Sequence, residues 1–427
     1  MSDKVKIDYV FSGTSMMRLI PSKAYTDTEY LDYRSMIIGE GVKSIERTLN
    51  TRLKSTEVSL SLLYNAYVES KFGDIFSSHN NFGYKNVYAD SGGLQVITQG
   101  KMLTESIKDD IYTAQDVSNV AFCFDEIPVE KISSHIELNG SNRASVSSKV
   151  FNASRFEECA RKTAENVKLQ LSSLNHSRVS YIIQGNTYND MIKWFDIAAE
   201  ILGDDVEKLY GIALADTCMG NGELETCDML YAAAVIFKKH PRLFKNIHLL
   251  GVGSGKRMLP AIILCQNGFL KDVILSSDSS SQSMSYIMGK TVSIDEKLSD
   301  HESFKMFGDE LSEVFSKYVD NFDSSDLATF VLKNNRQAGT VEEICYGDSE
   351  HRYHKIGGVI CPLYNTWCVN KMFMDIERMI NNVSYITLLK QVTNLDDYVL
   401  WRSRNYSKLQ SKRMQRKRVT LLDMVGI

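Results

Sequence analysis

Short apolar runs rich in β-branched and aromatic residues recur along the chain, separated by segments with helical spacing. The runs are KNVYA at 85–89, NVAFCF at 119–124, VSYIIQ at 179–184, LYGIAL at 209–214, IHLLGVG at 247–253 and DVILSS at 272–277. Apolar residues fall on one helical face in two of the segments between them, 153–174 and 187–202. Strand and helix alternating this often predicts parallel β/α units, in either a closed barrel or an open doubly wound sheet.

Polar side chains follow several of these runs at the point where each strand would end. They are Asp90, Asp125 with Glu126, Gln184 with Gly185, and Asp278. Any one of these acids would be explained as a helix cap or a turn residue. In a barrel, however, the carboxyl ends of all strands meet at one mouth, so the whole set favours a barrel with a functional site there.

The stretch YADSGGLQVITQG at 88–100 combines an acid with a glycine turn. Ser91, Gly92 and Gly93 can bend sharply and present bare backbone N–H groups beside Asp90. A flat surface next to a carboxylate is suited to binding a planar ligand.

The composition is that of an ordinary globular protein, since 43% of the 427 residues are hydrophobic and 24% are charged. No uninterrupted apolar run approaches the ~18 residues that a membrane helix needs. The N-terminal MSDKVKIDYVF lacks the apolar core of a signal peptide. We therefore expect a cytoplasmic protein with no membrane partner, whose eight cysteines are reduced thiols.

The total charge is nearly balanced, with 53 acidic against 49 basic residues, but the C-terminal segment is strongly basic. Such a run is suited to a nucleic-acid backbone, and it is equally typical of a solvated tail. Its candidate contact residues are Arg402, Arg404, Lys412, Arg413, Arg416, Lys417 and Arg418.

Six motifs, in order, resemble those of the queuine and archaeosine tRNA-guanine transglycosylase family. DSGGLQV at 90–96 is similar to the DSGGFQV signature, and AFCFDE at 121–126 to the FDE motif. IIQGNTYND at 182–190 resembles the VQGG segment, YGIALADTCMGNGE at 210–223 the GGLAVGE loop, and LLGVGSGKRMLPAI at 249–262 the MGVG stretch. LSSDSSS at 275–281 falls where the family has its nucleophilic aspartate.

This resemblance implies a (β/α)₈ TIM barrel that exchanges a guanine in a polynucleotide for a free 7-deazaguanine base. It makes Asp278 the nucleophile that attacks C1′ and forms a covalent glycosyl enzyme, and Asp90 the general acid and base. Asp125 would bind the ring N–H and amine of the base, and Gln184 with Gly185 its carbonyl edge. The rest of the base pocket would comprise Ser91, Gly92, Gly93, Ala215 and Asp216. The target base must leave the helical stack to reach such a pocket.

The sequence departs from the family pattern at several places. Leu94 replaces the signature aromatic residue, Ala215 and Asp216 replace paired glycines, and SSSQSMSY replaces the basic tRNA-contacting pattern after the nucleophile. The family's compact CxCxxC zinc motif is absent. A structural zinc site could draw at most four ligands from a looser cluster, whose residues are equally explained as buried thiols and surface imidazoles. That cluster is Cys345, His351, His354, Cys361 and Cys368.

These departures resemble the DpdA-type 7-deazaguanine DNA transglycosylase branch, found in bacteria and their phages. We therefore expect DNA and a base such as preQ0 as substrates, a bacterial or phage-infected cytoplasm, and possible homo-oligomers or partner proteins. A tRNA-guanine transglycosylase with a degenerate zinc site, and a non-catalytic accessory subunit that binds nucleic acid, stay open as alternatives. We expect residues 1–300 to form the barrel core with insertions, and residues 301–427 to complete the barrel and add a helical, basic region.

Overall fold

The structure is a computed structural model. It describes residues 7–12, 61–67, 86–93, 104–138, 141–215, 223–253, 255–270, 272–279, 290–293, 302–305, 389 and 391–405.

The described strands include a parallel set that closes on itself. In chain order the strands are β1 (Ile7–Phe11), β2 (Ser61–Asn65), β3 (Val87–Asp90), β4 (Val120–Phe122), β5 (Val129–Leu138), β6 (Ser141–Phe151), β7 (Arg178–Ile183), β8 (Gly211–Ala215), β9 (Asn246–Leu250), β10 (Ile274–Asp278), β11 (Lys290–Ser293) and β12 (Glu302–Lys305). The parallel strands pair in the order β1-β10-β9-β8-β7-β4-β3-β2, and β1 pairs again with β2. The expected α/β fold with a parallel barrel is therefore confirmed, and an open doubly wound sheet is excluded.

Five of the described helices lie between barrel strands and one follows the last of them, and two of the six begin at a side-chain cap. They are α1 (Glu105–Gln115), α2 (Phe156–Ser173), α3 (Tyr188–Leu202), α4 (Glu223–Lys239), α5 (Gly255–Gln266) and α6, residues 395–405. Thr104 caps α1 by accepting from the backbone N–H of Ile107, and Thr187 with Asp190 forms a capping box at the start of α3. Both predicted helical segments are confirmed. The first begins with a short 3₁₀ turn before α2.

Apolar side chains pack on both sides of the barrel wall. Outside, Trp194 of α3 is fully buried and donates its indole N–H to the carbonyl of Ile182, 3.1 Å away. Phe156 of α2 meets Trp194 edge to face at a centroid distance of 5.4 Å. Burial of aromatic side chains of this size supplies most of the energy that holds a helix on a sheet.

Among the described strands, two antiparallel pairs lie outside the barrel. Strands β5 and β6 form a hairpin inserted between β4 and α2, and β11 pairs with β12 after the last barrel strand. Neither pair was predicted, because their sequences lack the apolar runs that identify buried strands.

The C-terminal helix α6 docks on α4 through a buried polar cluster. The hydroxyl of Tyr398 donates to Asp228 at 2.6 Å, and Arg402 donates to both oxygens of Asp228 at 2.7 and 2.8 Å. The ring of Tyr398 also stacks on Tyr231 at 4.7 Å. All strands of the closed barrel lie between residues 7 and 278, so α6 is the described contribution of the C-terminal region to the barrel's outer layer.

We expect Arg402→Ala to lower the free energy of unfolding by about 1–3 kcal/mol, because it leaves the buried carboxylate of Asp228 without its cation. Arg404→Ala is the matched control, since Arg404 is exposed on the same helix. Urea unfolding of the two variants measures the difference. Equal stability of both variants would contradict a structural role for the Arg402 to Asp228 pair.

Candidate active site at the barrel mouth

The closed barrel brings the expected acids to one end. Asp90 and Asp278 are the last residues of β3 and β10, and Asp125 and Gln184 follow β4 and β7. The charges of Asp125 and Asp278 both act on Asp90. The carboxylates that the sequence singled out at separate strand ends therefore face one common site.

Asp90 is held by the neighbouring strand and by the glycine turn that follows it. Asn65, its register partner on β2, donates its side-chain N–H to Asp90 Oδ2 at 2.9 Å. Backbone N–H groups of Gly92 and Ser91 also donate to this carboxylate. Gly92 has φ +75°, and a Cβ there would lie 2.4 Å from Cβ of Tyr67, so only glycine fits this turn.

The pKa of Asp90 is raised to about 7. Burial is the largest cause, and the charges of Asp125 and Asp278 raise it further, while the N–H groups of Gly92 and Ser91 act in the opposite direction. A carboxyl group that titrates near neutral pH exists in both protonation states under working conditions. It is suited to giving a proton in one step and taking one in the next.

Asp278 is buried, and one of its two oxygens carries both of its described hydrogen bonds. Oδ1 lies 3.1 Å from His248 Nε2 and accepts the backbone N–H of Gly251 at 3.2 Å. Both contacts come from β9, the strand next to β10 in the barrel, and from the turn that follows it. These two contacts hold the carboxylate in a fixed orientation.

Asp125 and Gln184 form a second polar pair beside the two acids. Gln184 donates its amide N–H to Asp125 Oδ2 at 2.6 Å, and both side chains are buried. The backbone of Gly93 lies against Asp125, because a Cβ at Gly93 would be 3.2 Å from Asp125 Oδ1. An amide and a carboxylate therefore lie side by side next to a glycine backbone.

Gly185 has a packing reason of its own. A Cβ at Gly185 would lie 2.9 Å from both the backbone nitrogen and Cγ of Met191. The absence of a side chain lets the first turn of α3 approach the end of β7 closely. This packing fixes the position of Gln184.

The remaining expected site residues are divided between described and undescribed parts of the chain. Ser91 is fully buried, and Ala215 is buried at the end of β8. Arg402 is committed to Asp228, whereas Arg404 is exposed. Residues that lie outside the described ranges are Asp216, Lys412, Arg413, Arg416, Lys417, Arg418, Cys345, His351, His354, Cys361 and Cys368.

Three further observations concern the described residues alone. Their four cysteines, Cys123, Cys159, Cys227 and Cys265, are free thiols. Within the same ranges no group of three histidine, cysteine or acidic side chains is placed to hold a metal ion. No helix found there is both long and apolar enough to cross a bilayer.

Sequence reasoning missed three groups that hold the carboxylates. Asn65 was missed because β2 was not recognised as a strand. Gly251 was missed because it acts through its backbone N–H, which nearly every residue type has. His248 sits in an apolar run, and its only signal is that Ser276, its register partner on β10, lies two residues before Asp278.

Comparisons with known proteins add no relative to this picture. The sequence matches no protein-family model, and no curated protein is similar to it at a significant level. Inference about function therefore depends on the site itself.

The raised pKa of Asp90 has a consequence for stability. Because the folded state holds this proton up to about pH 7 while an unfolded chain releases it near 3.8, ionisation destabilises the fold as pH rises between these values. Between pH 4 and pH 8 the wild type should lose about 2–4 kcal/mol of unfolding free energy that Asp90→Asn, which cannot ionise, does not lose. Urea unfolding at both pH values measures the change.

Asp116→Asn is a control of opposite sign. Burial raises the pKa of Asp116, but N–H groups of His176, Ser177 and Asn175 together outweigh it, and the net pKa is lowered. Its stabilisation is present at neutral pH and lost as pH falls, so Asp116→Asn should destabilise most near pH 7. A pH-independent effect of Asp90→Asn would contradict the assigned environment of Asp90.

Proposed function

We propose that this chain is a guanine transglycosylase that exchanges guanine in DNA for a free 7-deazaguanine of the preQ0 type, through a covalent aspartyl-glycosyl intermediate. The observation that carries the proposal is the pair Asp278 and Asp90 at one barrel mouth. Asp278 is held by the imidazole of His248 and the backbone N–H of Gly251, and Asp90 has a pKa of about 7. A nucleophilic carboxylate beside a carboxyl group that can give and take a proton is what a double displacement at an anomeric carbon requires.

In the first displacement Asp278 attacks C1′ of the target nucleotide. The bond from C1′ to the base nitrogen breaks, its electron pair goes to guanine, and Asp90 in its acid form supplies the proton. The product is a glycosyl ester of Asp278, and Asp90 is left as a carboxylate. A pKa near neutrality allows Asp90 to act in this way at physiological pH.

In the second displacement the incoming base repeats these events in reverse. Asp90 takes the ring proton of the 7-deazaguanine, the ring nitrogen attacks C1′, and the ester bond breaks to regenerate Asp278. Because each step restores the protonation state that the other needs, the exchange requires no external acid or base. A structural zinc site with at most four ligands from Cys345, His351, His354, Cys361 and Cys368 stays a prediction.

Asp125 and Gln184 are suited to selecting the base. Guanine and 7-deazaguanines share a ring N–H next to an exocyclic amine, and both are donors that a carboxylate accepts. The Gln184 amide holds one Asp125 oxygen at 2.6 Å, and the backbone of Gly93 lies close to the same carboxylate. Rejection of adenine follows, because it lacks the ring N–H and the amine at these positions.

Three features support a (β/α)₈ TIM barrel acting on DNA. The closed parallel barrel places the acids at the carboxyl ends of its strands, where the active sites of such barrels lie. The sequence lacks the basic tRNA-contacting pattern after Asp278. Exposed Arg404 begins the basic segment that extends to Arg418, a composition suited to a phosphate backbone.

Guanine release tests the reaction and the polynucleotide together. We expect the protein, given free preQ0, to release radiolabelled guanine from DNA, and we expect Asp278→Ala to abolish the release because it removes the nucleophile. Bulk tRNA is tested in parallel. Guanine release from tRNA alone would support the reaction but contradict DNA as the substrate. No release from either polynucleotide would contradict the proposed activity and favour an accessory role.

Variation of Asp125 tests base recognition separately from chemistry. We expect Asp125→Asn to raise the KM for free preQ0 about tenfold or more, because loss of a charge-assisted hydrogen bond costs about 1.5–3 kcal/mol. Asp196→Asn is the control, since Asp196 forms only an exposed ion pair with Lys239 on the barrel exterior. An unchanged KM in Asp125→Asn would contradict its placement against the base.

A further inference from the structure

A line of buried polar side chains continues from Asp278 into the barrel interior. His248 Nε2 lies 3.1 Å from Asp278 Oδ1, and His248 Nδ1 lies 2.9 Å from Ser276 Oγ. Ser276 also hydrogen-bonds to the Tyr88 hydroxyl, which has a long contact of 3.5 Å with Asp8 Oδ2. Asp8 is held at the far end by the hydroxyl of Ser61 at 2.8 Å.

The imidazole of His248 is fixed in orientation. The residue is fully buried, and its ring packs against Phe122 and Tyr88 at centroid distances of 4.6 and 5.6 Å. Burial and the charge of Asp8 raise the pKa of Tyr88, so its hydroxyl stays neutral. A ring held by aromatic neighbours and by Ser276 on one nitrogen can present the other nitrogen in only one direction.

The polarity of the hydrogen bond to Asp278 follows from the chemistry of a carboxylate. The proposed nucleophile must be ionised, and an ionised carboxylate only accepts, so the proposed role requires the proton on His248 Nε2. Oδ1 then accepts two N–H groups, from His248 and from the backbone of Gly251. Within the described ranges no donor is directed at Oδ2.

We propose that His248 is a positioning residue for the nucleophile: together with the Gly251 N–H it anchors Oδ1 of Asp278, so that Oδ2 is the oxygen that attacks C1′. This inference rests on the proposed transglycosylase activity. During attack the C1′–Oδ2 bond forms as the bond to guanine breaks, and Oδ1 becomes the carbonyl oxygen of the ester. In the second displacement the C1′–Oδ2 bond breaks, its electron pair returns to the carboxylate, and the same two N–H groups stabilise the returning charge.

His248→Phe is the decisive variant, because phenylalanine joins the neighbouring rings while losing both ring nitrogens. We expect single-turnover guanine release to fall about 100-fold, the typical cost of one preorganised donor on a reacting oxygen. The KM for free preQ0 should stay within about twofold, since Asp125 and Gln184 are untouched. His248→Gln places an N–H near the position of Nε2, and it should release guanine at least tenfold faster than His248→Phe.

His240→Gln is the matched control. His240 is half-buried, meets Phe195 edge to face at a centroid distance of 5.2 Å and lies directly after α4, away from the carboxylates. Its activity should equal that of the wild type. A merely structural role of His248 would instead lower thermal stability and affect release and KM together, without rescue by glutamine.

A ring-proton measurement tests the contact without any turnover. In protein labelled with ¹⁵N-histidine we expect a slowly exchanging Nε2–H resonance from His248 that is absent in His248→Gln and shifts strongly in Asp278→Ala. A resonance that is unaffected in Asp278→Ala would overturn the contact. Release by His248→Phe within about threefold of the wild type, while Asp278→Ala is inactive, would overturn the positioning role but leave the proposed function standing.

The two hypotheses can fail separately. If the wild type released guanine from neither DNA nor tRNA, the proposed function would be contradicted, and the ring-proton result would still decide whether His248 holds Asp278. If a crystal structure of a trapped glycosyl enzyme showed the ester oxygen, rather than the carbonyl oxygen, in contact with His248 and Gly251, the assignment of the attacking oxygen would be wrong.

Discussion

Crowding of carboxylates at the barrel mouth is the constraint on which the rest of the site depends. A closed parallel barrel directs the end of every strand to one place, so Asp90, Asp125 and Asp278 share a poorly solvated space. Like charges in such a space cannot all be ionised cheaply. The groups around the acids differ, and the pKa of Asp90 is raised to about 7.

Asp278 and Asp90 have different surroundings. Asp278 is held by the imidazole of His248 and the backbone N–H of Gly251. Asp90 receives Asn65 and the turn N–H groups, but burial and its two acidic neighbours outweigh them and raise its pKa to about 7. The glycine turn serves both ends, because the positive φ of Gly92 aims its N–H at Asp90 and the bare backbone of Gly93 leaves space beside Asp125.

Much of this arrangement could be predicted from residue patterns. Six of the barrel strands follow from apolar runs, and Asp90 and Asp278 were identified because each directly ends such a run. The first two strands, IDYVF and SLLYN, could not be assigned, since they stand apart from the alternating pattern. Asn65 was not identified as a site residue, because it is the last residue of the second of these strands.

The other omissions concern partners that are distant in the sequence. His248 and Asp278 are 30 residues apart, and a lone histidine in an apolar run reads as a core residue. Arg402 and Asp228 are 174 residues apart, so a basic segment gave no sign that its first arginine would be used to dock a helix. Local patterns identify strand ends, whereas the hydrogen bonds between strands appear only in the fold.

The central claim is that Asp278 becomes covalently bound to the nucleic acid. Intact-mass analysis of the protein after incubation with a guanine-containing DNA oligonucleotide, without free base, tests it directly. The account predicts an adduct that survives denaturation, has lost one guanine, is discharged by added preQ0 and does not form in Asp278→Ala. An adduct that forms equally well in Asp278→Ala, or guanine exchange without any adduct, would contradict it.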